Sequence, residues 1–321
     1  AKCTDQKNKK MLRHVPVKVH SEEHGVTCHA LPNDVPFNLK GWTVPKAADG
    51  FPFDLGVVVS FGYFIPKRVV KAFPAGLINV HPSLLPKYRG AAPLQHTLIR
   101  GDAEAGVSVI RITEGEMDSG DILRQSKHAV GADTTYLDLY HSLGQVGADH
   151  VLQCLQDWPN SLAHAVAQPA ACNTPRAPKI APSLLQINFA GMTAIEVHNR
   201  WRGLFGFARV FSTFRKKKIL LLRTVLVRPE EVIPEGAAAV GPLMGGLYFD
   251  IVRNLVLVKC GGDKAPALDT WDSCWVGVEQ LQIEGKQPVT AAVFANAYIG
   301  SAKQSATAKT GFLHNPGVFF E

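Results

Sequence analysis

The stretch Asn79-Val80-His81-Pro82-Ser83-Leu84-Leu85-Pro86-Lys87-Tyr88-Arg89-Gly90 decides how the rest of the chain is read. Leu77 and Ile78 lead into it as an apolar run. Side chains along a strand alternate between faces, so Asn79 and His81 project from the same one. Pro82 and Pro86 then remove two backbone donors and end the regular strand. A carboxamide and an imidazole therefore stand together where a strand opens into a loop. Taken alone, the pair reads equally well as two satisfied polar groups at a strand end or as a reaction centre.

Outward from this stretch, residues 54–60 form an apolar, β-branched run, the pattern of a strand buried on both faces of a parallel sheet. A short helical segment over 69–73 separates it from the strand over 77–81. Such alternation predicts an α/β domain, in which ligands gather at the carboxyl ends of strands. Further on, residues 92–100 read as a helix stopped by Gly101, and 107–112 and 122–125 as strands. Between those strands lies the loop Glu114-Gly115-Glu116-Met117-Asp118-Ser119-Gly120-Asp121. Asp133 and Thr134 are expected to cap a helix carrying Tyr136, Leu139, Leu143 and Val146 on one face. Upstream, a basic loop over 2–13 leads to a helix over 16–24 and a short strand over 26–30.

Residues 163–182 are rich in Ala, with Pro169, Pro175, Pro178 and Pro182, and read as an extended linker. The expected organisation is a catalytic domain over 1–162, this linker, a second domain over 183–300 and a loosely held tail over 301–321. In the second domain, Thr193 and Glu196 make a capping box for a helix through Trp201. Strands over 208–214 and 219–227 flank the cationic tip Arg215-Lys216-Lys217-Lys218. Four further strands are expected over 239–244, 247–252, 255–259 and 276–283, followed by a helix over 290–297. Short strands punctuated by turns suggest a small barrel of the oligonucleotide-binding (OB) type.

Composition narrows the function classes. A chain of 321 residues exceeds what one core usually serves, so two domains are expected. No apolar run approaches the roughly 18 residues a membrane span needs. The six cysteines are scattered without a Cys-x-x-Cys pair, which argues against a disulfide framework or zinc site and suits a reducing compartment; no metal is expected. No signal peptide is read in these residues. The formal charge of +7 is uneven: residues 1–18 carry six Lys/Arg against one Asp, and residues 196–228 carry nine against one Glu. Two basic segments on an otherwise acidic chain suggest a polyanionic partner such as nucleic acid, or else two solvated loops. Trp201, Phe205 and Phe207 read as core or interface residues. His14, His20, His24, His29 and His128 receive no role.

Asp118, in the glycine-rich loop, is the natural third member for Asn79 and His81. When an amine attacks an acyl-like carbon, the carbonyl oxygen gains negative charge and the amine gains positive charge. Donors from Asn79 and His81 suit the oxygen, each worth about 3–4 kcal/mol in comparable sites. A carboxylate suits the amine's proton, directly or through water. Ser83 has no evident base beside it and reads as a loop hydrogen-bonder rather than a nucleophile.

Four blocks, Asn79 to Pro86, Arg89-Gly90-Ala91-Ala92-Pro93-Leu94-Gln95, Gly106-Val107-Ser108-Val109 and Met117-Asp118-Ser119-Gly120-Asp121, together resemble the folate-dependent formyltransferases. The resemblance implies a Rossmann-like α/β domain with a mainly parallel sheet, followed by an OB-like β-barrel domain. It implies Asn79, His81 and Asp118 as the catalytic set, and Ser83, Leu84, Leu85 and Pro86 as the segment contacting the co-substrate, 10-formyltetrahydrofolate. The block from Arg89 to Gln95 resembles the branch that formylates methionyl-tRNA. That branch implies an initiator-tRNA partner touched by Lys7, Lys9, Lys10 and Arg13 in the first basic loop. Arg215, Lys216, Lys217 and Lys218 are the matching candidates in the second basic segment. It also implies a monomer without membrane contact, placed in the mitochondrial matrix. Relatives acting on small-molecule acceptors, and a non-catalytic RNA-binding fragment, stay open as rival readings. Against the family pattern, the chain is expected to lack a leading strand, helix and strand, leaving the strand at 77–81 short of one pairing partner.

Overall fold

The computed structural model describes residues 2–4, 12–14, 16–29, 31–32, 34–113, 116–170, 173–227, 244–261, 275–300 and 312–320. The first described elements are strands β1 (Lys2–Thr4) and β2 (Leu12–His14), paired antiparallel, followed by helix α1 (Pro16–Glu23). The strand expected over 26–30 does not form. The Val26 N–H is instead spent closing α1, on the Ser21 carbonyl at 2.8 Å.

The site is built on a four-stranded sheet in the order β3 (Leu55–Val59), β4 (Gly76–His81), β5 (Glu104–Arg111), β6 (Ile122–Ala129). β3 and β4 run parallel, joined through the short helix α2 (Lys67–Val70). The other two pairs are antiparallel, so the sheet is mixed and not mainly parallel. For β5 and β6 the reason is the connection: the ten residues 112–121 are too few for the crossover that a parallel pair needs. The strand carrying Asn79 and His81 does have a partner on each side, contrary to expectation. The edge falls on β3, where Val57 and Val59 are 45% and 60% exposed instead of buried on both faces.

Two helices cover this sheet. α3 (Pro93–Arg100) starts on a proline, which suits a first helical position, and stops at Gly101 in the left-handed conformation. α4 (Tyr136–Gln156) is capped by Thr135, one or two residues later than expected. Thr135 and Asp138 exchange side chain–backbone bonds in a complete capping box. Leu139, Leu143 and Cys154 point inward from α4. At Gly147, an added Cβ would come within 2.8 Å of Val80, so glycine lets α4 lie close against β4.

The second half opens with α6 (Ala194–Leu204), after the short α5 (Trp158–Ala163), and its Thr193/Glu196 capping box forms as expected. An antiparallel sheet follows in the order β13-β9-β10-β11-β8-β7, with β12 on β11. Its strands are β7 (Phe211–Phe214), β8 (Lys217–Leu226), β9 (Gly246–Asp250), β10 (Leu255–Lys259), β11 (Trp275–Ile283), β12 (Val289–Thr290) and β13 (Phe312–Phe319). The sheet curls around a core that includes Val197, Trp201, Phe214, Val256, Val276 and Phe294, the last from α7 (Ala291–Tyr298). Residues 312–319, expected in a loose tail, pair with β9. The strand expected over 239–244 lies outside the described residues except for Met244.

The halves meet where α3 packs on α6. Gly203 allows it, since a Cβ there would lie 2.9 Å from Ile99 and 3.1 Å from the Gln95 carbonyl. Buried Arg202 donates from Nη1 to the Gly131 carbonyl at 2.8 Å and from Nε to Asn199 Oδ1 at 2.7 Å. The segment read as a linker is strapped to the first half. His96 Nε2 lies 2.9 Å from the Pro178 carbonyl, and Ala177 and residues 89–92 exchange backbone bonds at 2.9 and 3.1 Å.

Candidate active site

β4 ends at His81, which is 5% exposed, with Asn79 half-buried two residues earlier. His81 Nε2 lies 2.9 Å from the Tyr88 carbonyl oxygen, so this nitrogen carries the proton and donates it. The Nδ1 edge faces Asp118, whose Oδ1 is 3.7 Å away. His81 and Asp118 thus meet across a gap of 37 positions. Asp118 is almost buried, and its other oxygen accepts the Gly90 N–H at 3.0 Å.

Asp118 sits in the left-handed region, with φ +59°, a conformation that a non-glycine residue keeps only under firm restraint. Gln168 supplies it: Nε2 donates to the carbonyls of Asp118 at 2.9 Å and Gly120 at 2.8 Å. Gln168 Oε1 accepts from Arg89 Nη2 at 2.6 Å, and Arg89 Nη1 donates to Glu116 at 3.0 Å. Arg176 also binds Glu116, and together with Arg89 it holds that carboxyl below the usual glutamate range. Gly120 is required by contact, because any Cβ would strike the Arg111 carbonyl.

The loop after His81 is braced from below. Ser83 Oγ donates to the Lys87 carbonyl at 2.7 Å, so Ser83 is the loop hydrogen-bonder its sequence context suggests. Ser108 on β5 donates to the Ser83 carbonyl at 2.6 Å and accepts from Gln125 Nε2 at 2.8 Å; Gln125 also reaches the Leu85 carbonyl at 3.0 Å. Leu85 is buried, while Leu84 and Pro86 stay half-exposed. Tyr88 is buried, and its hydroxyl donates to Asp102 at 2.9 Å; burial first, then Asp102, pushes that phenol well above its ordinary range. Leu84, Lys87 and Tyr88 line a pocket of about 300 Å³ with Thr97 and residues 102–105. That pocket includes neither His81 nor Asp118.

The other expected site residues lie elsewhere. Lys7, Lys9 and Lys10 fall outside the described residues, and Arg13 lies on β2. Arg215 and Lys216, both with positive φ, form the two-residue turn between β7 and β8, while Lys217 and Lys218 begin β8. All four are exposed. Arg215 lies over the rings of Phe214 and Tyr298 at 5.4 and 5.3 Å, and Lys218 over Phe211 at 3.8 Å. Trp201 is buried as expected, but Phe205 and Phe207 are 39% and 54% exposed. Sequence reasoning gave no role to Arg89, Gln168, Ser108 or Gln125. Arg89 and Ser108 stood inside the quoted motifs, whereas Gln168 lies in a Pro/Ala-rich stretch with no local signal.

A buried imidazole and a braced carboxylate beside a polar strand end, with a curled second sheet behind, define a two-part group-transfer architecture. The chain belongs to the formyltransferase family: residues 8–155 match the family's formyl transferase model and residues 179–298 its C-terminal domain. It is 35% identical over 260 residues to a methionyl-tRNA formyltransferase of Mesorhizobium japonicum, covering 78% of this chain and 80% of that protein. It is 30% identical over 247 residues to the mitochondrial methionyl-tRNA formyltransferase of Bos taurus, covering 77% of this chain and 60% of the relative's length. The fold resembles HypX of Aquifex aeolicus, solved in complex with tetrahydrofolic acid, with TM-score 0.52, 16% identity, and coverage of 75% of this chain and 38% of that one. Among the described residues no helix is long and apolar enough to cross a membrane.

Proposed function

We propose that this chain transfers the formyl group of 10-formyltetrahydrofolate to the α-amine of methionyl-tRNA. The observation that carries this reading is the approach of Asp118 Oδ1 to His81 Nδ1 at 3.7 Å, with the Gly90 N–H fixing the carboxylate and Gln168 fixing the Asp118 backbone carbonyl. The names of the bacterial and cattle relatives favour the tRNA acceptor, and the cattle relative's name favours a mitochondrial placement. We place the unit boundaries at 162, 182 and 300, read the second sheet as an OB-like barrel, and take the protein to act as a monomer.

The residues fit a folate-borne formyl group. His81 offers a buried imidazole edge, and Leu84 and Pro86, in the loop that follows it, offer half-exposed apolar side chains. When bound, the folate supplies an activated formyl carbon and a nitrogen leaving group. Asn79 and the Nδ1–H of a doubly protonated His81, which the Asp118 carboxylate favours, then donate to the carbonyl oxygen as it gains charge. Asp118 takes the proton that the attacking amine releases, directly or through one water, and the same proton passes to the folate nitrogen as its bond to the formyl carbon breaks. His81 Nε2 stays committed to the Tyr88 carbonyl, which fixes the ring plane and leaves Nδ1 as the working edge. Lys7, Lys9, Lys10, Arg13 and the turn at Arg215, Lys216, Lys217 and Lys218 hold the tRNA backbone, a term that weakens as salt rises.

The test is to incubate the protein with charged initiator tRNA and 10-formyltetrahydrofolate and measure formylmethionine by mass. Product formation at a rate that saturates with tRNA is expected. Folate turnover without formylated tRNA, or no turnover at all, overturns the reading.

A further inference from the structure

Outside the candidate active site, one group of side chains has the chemistry of a metal centre. His20, Glu23 and His24 lie on one side of the last turn of α1, all exposed, and one donor atom from each comes within 4.8 Å of the others. Imidazoles at i and i+4 face each other on a helix, and with a carboxylate they form a donor set that zinc-class ions accept. The two rings sit with centroids 4.0 Å apart.

Three further observations favour a prepared site over chance neighbours. First, the helix end is locked. The Gly25 N–H bonds the Glu22 carbonyl at 3.3 Å and the Val26 N–H bonds Ser21 at 2.8 Å, with Gly25 at φ +67°, a Schellman closure. His24 therefore keeps α-helical spacing, its own N–H lying 3.1 Å from the His20 carbonyl. Second, His24 Nδ1 is 2.9 Å from that same carbonyl. A proton donated there leaves the Nε2 lone pair for a metal and fixes the ring, as metal-bound histidines commonly arrange. Third, the cation of this helix, Lys18, pairs with Glu22 at 3.5 Å rather than with Glu23.

We infer that His20, Glu23 and His24 form a surface site for a divalent transition ion of the zinc class, held by two imidazoles and one carboxylate. The remaining coordination positions face water, so the ion is held from one side and exchanges readily. Its effect on the fold is local: it clamps the turn that follows the β1–β2 ribbon. Tight spacing of two imidazoles and a carboxylate matches zinc, nickel or copper better than calcium or magnesium, which prefer oxygen donors.

The experiment is calorimetric titration of the chelator-stripped chain with Zn²⁺ alone, alongside three variants of exposed residues. The native chain is expected to bind one equivalent that His20→Ala/His24→Ala removes. Glu23→Gln is expected to weaken that equivalent about tenfold. Cys28→Ser, which changes an exposed thiol nearby in sequence, is expected to keep it. Thermal melts of all four proteins report whether each variant is folded. The inference is overturned if the double variant binds zinc with unchanged stoichiometry and affinity, if Cys28→Ser loses the equivalent, or if the native chain binds none.

Discussion

The strand ends after β4 and after β7 both carry polar side chains, and they are built in opposite ways. The loop after β4 holds His81 and Asp118 almost out of water, with partners for His81, Ser83, Ser108, Gln125, Gln168 and Arg89. The turn after β7 holds Arg215 to Lys218 in water, with rings beneath two of the four cations, Arg215 and Lys218. In the first, each donor has one position, as chemistry at a single carbon requires. In the second, charge is spread over flexible side chains, as attraction to a polyanion requires. A braced site is expected to lose nearly everything when one group is removed, and a screened one to lose a little each time.

The largest effect expected is at the braced end. His81→Ala and Asp118→Asn should each lower kcat about 10²–10⁴-fold in the formylmethionine assay, with little change in tRNA affinity. A variant of either residue within about threefold of the native kcat would remove it from the chemistry.

A pH scan comes next, because His198 joins the two halves that carry these strand ends. It lies on α6, bonds Thr224 of β8 at 3.0 Å, and faces Asp133 of the first half at 3.6 Å. Burial foremost, with Arg202 adding to it, pushes its pKa down from 6.5 to about 4. Between those values the unfolded chain takes up a proton that the folded chain refuses. The stabilisation is therefore complete above about pH 6.5 and lost as pH falls toward 4, on the order of 3 kcal/mol in all. Denaturant melts from pH 7.5 to 4.5 should show this slope, and His198→Gln should flatten it. An equal slope in that variant would assign the pH dependence to other groups.

The smallest effect is expected at the exposed turn. Arg215→Ala with Lys216→Ala should reduce the slope of log binding against log salt by about 2 units and leave kcat unchanged. A slope matching that of the native chain would make the turn a solvated hairpin tip and no more.

Local chemistry accounts for what could be read in advance. The Asn79–Gly90 motif is contiguous, so its strand, its proline-broken loop and its shared face follow from nearest neighbours. The Thr193/Glu196 capping box and the Arg215-Lys216 turn are equally local. Gln168 was illegible because its stretch looks like a linker, and nothing within a few residues says that its amide will brace Asp118 from 50 positions away. The β3 run misled for a related reason: Val57, Val58 and Val59 signal a strand, but whether both faces and both edges are covered depends on neighbours elsewhere. The second half shows the same limit at residues 312–319, which have no periodicity strong enough to reveal their pairing with β9.

By itself, then, the sequence determined the family and most of the central elements, since alternation, capping and contiguous motifs act over a few residues. It also singled out Asn79, His81 and Asp118, the residues proposed to bear the chemistry. Only the tertiary structure decided the mixed direction of the sheet, the partners on both sides of β4, and the strap from 166 to 178 that holds the loop and Asp118 in place. It also brought His20 and His24, which the sequence reading gave no role, together with Glu23 into one cluster, because a helix stopped by Gly25 sets their spacing. Hydrogen bonds between distant segments depend on where packing delivers them, and that information is spread over the whole chain rather than written at either end of the bond.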